Sequence, residues 1–208
     1  ERGVPVLVDG AHGPGMVPLN LTELGADWYA GNCHKWLCSA KGCAFLWTRT
    51  ESEFALHDLH PTVISHGFGR GFTAEFDFVG TKDYSPFLSL PEALAVHREL
   101  GPARIQAYNR KLVLEAGERL CRAWGTESLV PEDFVGSILT LPIPQLFEPN
   151  EQVASELTSK LWTESRIEVP FVPFGDRMWL RISAQIYNEL TDYERLADVF
   201  PMNFPQRT

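Results

Sequence analysis

The chain has 208 residues, of which 44% are hydrophobic and 22% charged, an ordinary globular composition that suffices for one large domain or two small ones. Its formal net charge of -9 argues against nucleic acid or an anionic membrane as partner, because both are bound by clustered lysine and arginine. No apolar run approaches the ~20 residues that span a bilayer, and the four cysteines show no CxxC spacing. We therefore expect a cytoplasmic protein.

The first half of the chain predicts an α/β arrangement. Residues 4–8 form a continuous apolar run of the kind found in strands buried on both faces, and the run ends at Asp9. Residues 60–83 are rich in glycine and phenylalanine and are predicted to form a shaped loop without a helix. The other predicted elements are a helical turn over 19–24, strands over 27–30 and 43–48, and helices over 86–100 and 105–124. In the last helix, one stripe is predicted to contain Ile105, Tyr108, Leu112, Leu120 and Trp124.

After Gly125 the pattern changes to that of a smaller α+β unit. We predict a partial large domain over 1–100, a connecting helix over 101–125 and a small C-terminal domain over 126–208. The predicted elements of this last domain are strands over 136–141, 167–174 and 178–186 and helices over 151–164 and 191–200. Thr191 is the predicted N-cap of the last helix, with Glu194 completing a capping box.

Two residues that follow predicted strands carry an amine and a carboxylate that pyridoxal phosphate (PLP), an aldehyde cofactor, would require. Lys35 follows Asp9 by 26 residues and lies in the segment Asn-Cys-His-Lys-Trp. A lysine can hold an aldehyde cofactor as a Schiff base, and a carboxylate facing the pyridine nitrogen keeps the ring electron-withdrawing. Alone, Asp9 is equally explained as the cap of the next turn, and Lys35 as a solvated surface lysine. Their pairing favours the cofactor.

Five further polar residues are candidate ligands, and three of them have a plainer alternative. His12 would reach the cofactor ring or its phenolic oxygen, or is only a polar turn residue. Asn32 and His34 are candidate phosphate donors. Thr81 either caps the following helix or offers its hydroxyl and amide to a phosphate. Arg181 lies in an alternating apolar strand, where burial predicts either an internal salt bridge or a clamp for a substrate carboxylate.

Three histidines raise the question of a metal site. His57, His60 and His66 are separated by three and six residues and have no accompanying cysteines or clustered carboxylates. This spacing matches no standard ligand set, so no metal is predicted.

Four motifs, in order along the chain, resemble the class V aminotransferase family and, within it, the isopenicillin N epimerase-like branch. They are residues 8–12, 31–36, 75–81 and 180–188. The resemblance implies a fold type I PLP enzyme, with a large domain built on a mostly parallel sheet, followed by a small α+β domain. It also implies a homodimer whose active sites lie between the subunits.

The resemblance also assigns roles to individual residues. It makes Lys35 the Schiff-base lysine and Asp9 the partner of the pyridine nitrogen, with His12 near the O3' side of the cofactor. Asn32 and His34 fall where the family places phosphate contacts.

Thr81 matches a threonine that relatives offer to the phosphate of the partner subunit, and Arg181 matches the arginine that binds the substrate carboxylate. Residues 165–180 lack the nucleophilic cysteine of the related desulfurases, so persulfide chemistry is not expected. The family's phosphate-binding turn and ring-stacking residue would lie before Glu1. We therefore expect a fragment or processed chain that is inactive by itself.

The functional hypothesis is a PLP-dependent enzyme that acts at the α-carbon of a small amino-acid substrate, as an epimerase or a β-eliminating C–S lyase. Both reactions begin with α-proton removal, and transamination is not separated from them. The alternative is a cofactor-less or truncated relative that acts as a non-catalytic interaction module.

Overall fold

The computed structural model describes residues 3–50 and 59–201. The chain divides into two compact units, Glu1–Pro102 and Ala103–Thr208. The predicted connecting helix therefore belongs almost entirely with the second unit. Among the described residues, no helix is both long and apolar enough to cross a membrane.

The first unit contains a three-stranded sheet in the order β1-β2-β3. β1 (Leu7–Asp9) runs parallel to β2 (Trp28–Asn32), and β3 (Ala44–Thr48) pairs antiparallel with β2. All three strands were predicted, with small shifts of their ends. The register places Asp9 beside Ala30, so the carboxyl ends of β1 and β2 lie at the same edge of the sheet. Such an edge is where open α/β sheets bind ligands.

The predicted burial of the first strand on both faces is wrong for the described residues. Val4 is 69% exposed and Leu7 is 64% exposed. A continuous apolar run shows that the side chains are hydrophobic. A strand is buried, however, only if other elements pack on both of its faces. β1 pairs with β2 alone among the described strands, and this single neighbour leaves most of its surface open.

The predicted loop over 60–83 contains a short helix, α1 (Phe72–Asp77). The glycines of this segment concentrate before the helix, and Gly71, with φ 95°, precedes its first residue. The loop prediction was therefore wrong from residue 72 to residue 77. The single helix predicted over 86–100 is instead two, α2 (Ser85–Leu88) and α3 (Leu90–Leu100).

A buried carboxylate fixes the glycine-rich segment before α1. Glu75 is only 3% exposed. One of its oxygens accepts a hydrogen bond from His60 Nδ1 at 2.6 Å, and the other accepts from the amide of Gly69 at 3.0 Å. The His60 hydrogen bond lowers the pKa of Glu75, and the Gly69 amide adds to this effect, whereas burial opposes it. His60 is thus tied to a single carboxylate.

The second unit is an antiparallel sheet with helices, in the strand order β4-β6-β5. Its main core contains buried side chains of all three strands and of the helices. Leu180 and Ile182, on the central strand, are almost fully buried within it. The elements are α4 (Pro102–Trp124), a 3-10 turn (Glu132–Phe134), β4 (Ile138–Pro142), α5 (Glu151–Ser165), β5 (Phe171–Phe174), β6 (Arg177–Ser183) and α6 (Leu190–Val199).

Two details of this unit differ from prediction. Tyr108, expected on the buried stripe of α4, is exposed, and its hydroxyl donates to the Asn188 carbonyl at 2.7 Å. The N-cap of α6 is Glu189 rather than Thr191, and Asp192 rather than Glu194 completes the capping box. The N-cap and its capping-box partner therefore each lie two residues earlier than predicted.

The Glu75 contacts predict an acid-sensitive structure. Because the pKa of Glu75 is lowered by folding, its charged contacts stabilise the protein above the ordinary carboxyl pKa of about 4.5, and this stabilisation is lost as pH falls through the lower folded value. Below about pH 4.5, the thermal unfolding temperature should therefore fall less steeply with decreasing pH in Glu75→Gln than in wild type. Asp77→Asn, an exposed acid of the same helix, is the control and should leave this pH dependence unchanged. Identical pH profiles for Glu75→Gln and wild type would contradict the assignment.

Candidate active site

Lys35 lies on a turn that leaves the carboxyl end of β2 and returns into β3. The turn is closed by the amide of Ser39, which donates to the Cys33 carbonyl at 3.2 Å, and by the amide of Cys38, which donates to the Lys35 carbonyl at 3.2 Å. The Cys33 amide donates across to the Cys43 carbonyl at 3.0 Å. The lysine is therefore held on ordered backbone at the sheet edge where β1 also ends.

The structure brings two predicted site residues into direct contact. Lys35 Nζ lies 3.0 Å from His12 Nε2. The indole Nε1–H of Trp36 donates to the other ring nitrogen of His12, Nδ1, at 3.2 Å. All three side chains are half-buried. The sequence carries no signal for the bond of Trp36 to a residue 24 positions away.

Asp9 is exposed at the end of β1, on the same edge. Its Oδ1 accepts a hydrogen bond from the amide of Ala11 at 3.1 Å. The turn-capping alternative is therefore observed. It uses only one oxygen, and among the described residues no hydrogen-bond donor reaches Oδ2, so the capping role leaves part of the carboxylate available to a ligand.

Glycines allow the segment after Asp9 to lie directly on Tyr29. A Cβ atom on Gly10 would lie 1.8 Å from the tyrosine ring, and one on Gly13 would lie 2.0 Å from its hydroxyl. The Tyr29 hydroxyl donates to the Gly10 carbonyl at 3.0 Å. Burial, assisted by the negative charge of Asp9, raises the pKa of Tyr29, so the phenol remains a donor. Tyr29 is a structural support that the sequence interpretation missed.

The two predicted phosphate ligands lie next to the lysine in the chain. His34 Nδ1 donates to the Cys43 carbonyl at 2.8 Å, which fixes the ring and leaves Nε2 as the second polar atom of its side chain. Asn32 is the last residue of β2 and is half-buried. Within the described part of the chain, its side chain forms no hydrogen bond. Their phosphate role stays a prediction.

Cys33, two residues before the lysine, is a poor nucleophile in its buried state. Cys33 and Cys43 are both buried. Burial, followed by the effect of neighbouring Cys43, raises the pKa of the Cys33 thiol to about 11. Because the thiolate is the reactive form, Cys33 is unreactive at neutral pH.

Thr81 does not cap the helix that follows it. α2 begins at Ser85, its N-cap Tyr84 forms no side-chain capping bond, and Asp83 Oδ1 accepts the Ser85 amide at 2.8 Å instead. The capping alternative for Thr81 is therefore wrong. Its side chain is exposed and forms no hydrogen bond to any described residue. The role in a partner subunit's site stays a prediction.

Arg181 lies in the second unit and is exposed, which contradicts its predicted burial. Its neighbours Leu180 and Ile182 point to the buried face of β6, and the alternation of a strand places Arg181 on the opposite face. None of the ion pairs within residues 3–50 and 59–201 involves Arg181, so the internal salt-bridge alternative is not observed there. The carboxylate clamp stays a prediction.

His60 and His66, two of the three histidines considered for a metal, each lie against a side chain of the same segment. His60 donates to Glu75, and the ring of His66 lies 5.7 Å from that of Phe78. His57 lies outside the described residues. In the described ranges, no three histidine, cysteine, aspartate or glutamate side chains are grouped so that they could hold a metal ion.

The fold and the matched sequence together define the class of protein. The chain has the mixed α/β fold of fold type I PLP enzymes. A cysteine desulfurase of Thermococcus onnurineus NA1 matches with a TM-score of 0.72 and 21% identity, covering 97% of this chain and 53% of the other. The family model described as "Aminotransferase class-V" matches residues 1–196. The chain belongs to the class V aminotransferase family, as its motifs predicted.

The curated relatives carry more specific names. A protein of Arabidopsis thaliana, named probable L-cysteine desulfhydrase, chloroplastic, is 38% identical over 204 residues, covering 93% of this chain and 43% of the relative. The isopenicillin N epimerase of Streptomyces clavuligerus is 34% identical over 215 residues, covering 95% of this chain and 52% of the relative. The chain thus spans about half the length of the curated relatives it matches.

A solved structure with the same fold contains the cofactor. It is a variant of the cystine C–S lyase C-DES in which glycine is covalently linked to the PLP cofactor. It matches with a TM-score of 0.69 and 21% identity, covering 94% of this chain and 51% of the other.

The residues at this sheet edge suit such a cofactor chemically. An amine and an imidazole lie 3.0 Å apart, and a carboxylate follows the neighbouring strand at the same edge. Gly10 and Gly13 have no side chains, so the segment after Asp9 lies close to Tyr29 and leaves the sheet edge open. The amine and the carboxylate at this edge fit the attachment point and the ring nitrogen of an aldehyde cofactor.

Proposed function

We propose that the protein is a PLP-dependent C–S lyase that releases sulfide from L-cysteine or a similar sulfur-containing amino acid. The observation that carries this proposal is the contact between Lys35 Nζ and His12 Nε2 at the carboxyl edge of β1 and β2. The names of the plant relatives support the substrate class. The non-catalytic alternative has no support among the relatives, which are named as enzymes.

In this proposal, residues of this chain bind the cofactor, orient the substrate and move a proton. When bound, PLP supplies an electron sink for the bond that breaks at the α-carbon. Lys35 Nζ would hold the cofactor and then take the α-proton, Asp9 would pair with the ring nitrogen, and His12 would lie on the O3' side. Asn32 and His34 would hold the phosphate.

The overall reaction balances without an oxidant or reductant. The Cα–H and Cβ–S bonds break, the sulfur leaves as sulfide, and water is consumed to give pyruvate and ammonia. No protein thiol is needed to accept the sulfur. This agrees with the buried, protonated state of Cys33 and with the absence of cysteine from residues 165–180.

Two further parts of the proposal extend beyond the described contacts. We propose that Arg181 binds the substrate α-carboxylate as a bidentate clamp, since its guanidinium is exposed and unpaired among the described residues. We also propose a homodimer in which exposed Thr81 contributes to the partner's site. A cytoplasmic location remains a prediction, because one relative is named as chloroplastic.

Epimerisation is the second candidate, favoured by the 34% identity to an isopenicillin N epimerase. Both reactions start with removal of the α-proton and differ in the next step. Elimination requires a leaving group on the β-carbon, whereas epimerisation returns a proton to the opposite face of the α-carbon.

Lys35→Ala tests the anchor and the base together. The full-length protein with added PLP should show a visible band near ~420 nm that is characteristic of the lysine-bound cofactor, and Lys35→Ala should lose it. Loss of a general base should lower turnover by roughly 10²–10⁴-fold. Lys41→Ala, at an exposed lysine six residues away, is the matched control and should keep both properties. A wild-type protein without the band, or a Lys35→Ala protein that retains it covalently, would contradict the proposal.

Product analysis separates the candidate reactions. The full-length protein should release sulfide and pyruvate in equal amounts from L-cysteine, and L-alanine, which has no leaving group, serves as the control substrate. Racemised amino acid without sulfide would favour the epimerase. A keto acid that retains the substrate side chain would indicate transamination and would overturn the lyase assignment.

A further inference from the structure

Ser89, at the junction of α2 and α3, does not use its hydroxyl in the way usual for a serine before a helix. Such a serine ordinarily accepts the amide of the second or third helical residue with its side chain. Ser89 forms no such capping bond, and its backbone has φ -80° and ψ -15°, a helical conformation in place of the extended one of most N-caps. The hydroxyl therefore makes its contacts elsewhere.

One of these contacts is with the turn that carries Lys35. The Ala40 amide donates to Ser89 Oγ at 2.9 Å, and the Ser89 hydroxyl donates to the Pro86 carbonyl at 2.7 Å. The hydroxyl is thus a donor and an acceptor at once, which fixes its orientation. A Cβ atom on Gly42 would lie 3.6 Å from Pro86 Cγ, an ordinary van der Waals distance. The part of the turn that returns to β3 therefore lies on α2.

The same part of the turn is hydrogen-bonded back to the lysine. The Cys38 amide donates to the Lys35 carbonyl and the Ser39 amide to the Cys33 carbonyl, both at 3.2 Å, and Ala40 is the next residue. Cys38 has φ 59°, in the left-handed region that residues other than glycine rarely adopt. A backbone of this kind persists only where its surroundings hold it. A contact at Ala40 is well placed to do so.

We infer that Ser89 is a positioning residue that holds the turn carrying Lys35 against α2. This inference deepens the proposed function and rests on it, because an amine that attaches a cofactor and moves a proton must act from a fixed position. The hydrogen bond itself requires no cofactor. It is therefore a property of the backbone that can be measured separately.

The size of the effect follows from the exposure of the bond. Ala40 is exposed, so water can replace the hydroxyl as the acceptor of its amide. Loss of one neutral hydrogen bond should then change the local opening equilibrium of the turn by about fivefold. Ser89→Ala removes the hydroxyl, whereas Ser89→Thr retains it and should restore the wild-type behaviour.

The direct test is hydrogen–deuterium exchange of the full-length protein without added cofactor, resolved to single residues by mass spectrometry. The amides of Cys38 and Ser39 should exchange about fivefold faster in Ser89→Ala than in wild type or Ser89→Thr. The Gly69 amide, held by a buried carboxylate, reports general stability and should be unchanged. Ser85→Ala, at a serine of α2 whose hydroxyl bonds within its own segment, is the matched control and should leave all three amides unchanged.

A kinetic readout then connects the turn to the reaction. With PLP and L-cysteine, Ser89→Ala should lower kcat by about fivefold and leave KM within about twofold, because the lysine and not the substrate-binding residues has lost its support. Ser89→Thr should restore kcat. If Ser89→Ala does not fold, Ser89→Cys, whose thiol is a weaker hydrogen-bonding group, takes its place.

Three results would overturn the inference. They are unchanged exchange at Cys38 and Ser39, an equal acceleration at Gly69, which would indicate a general loss of stability, and an unchanged kcat despite faster exchange at the turn. The expected exchange in a full-length protein that gains no visible band with PLP would support the contact of Ser89 with the turn while refuting the proposed function.

Discussion

The parallel pairing of β1 with β2 is the constraint on which the site depends. It brings the residues that come after both strands to one sheet edge, although Asp9 and Lys35 are 26 residues apart in sequence. The glycines after Asp9 then allow His12 to reach the turn beyond β2, where it meets Lys35 and Trp36. A change of register would separate the carboxylate and the amine even if every side chain were retained.

The sequence was sufficient for much of the fold because strand and helix patterns are local. The three strands of the first unit and those of the second follow from short apolar or alternating runs. The errors arose where local composition and tertiary context conflict. Helix α1 was missed because the segment before it is rich in glycine. The contacts of buried Glu75, which hold that segment in place, leave no signal in the sequence. The apolar run before Asp9 predicted burial that the described neighbours do not provide.

The sequence predicted which residue types form the site and at which strand ends they lie, but not all of their contacts. Lys35 and His12 were chosen separately, and the structure places them in contact. The bond of Trp36 to His12 was not predictable, since it depends on the separation of two turns and not on spacing along the chain. For Arg181 the alternating pattern was informative, but the buried face was assigned to the wrong residues, because Leu180 and Ile182 occupy it.

Covalent attachment of the cofactor at Lys35 is the central claim, and peptide mapping tests it most directly. The full-length protein is incubated with PLP, treated with borohydride and digested, and the peptides are sequenced by mass spectrometry. We expect the pyridoxyl-phosphate mass on Lys35 with high occupancy. A label on Lys41 or another lysine in place of Lys35, or no label at all, would contradict it.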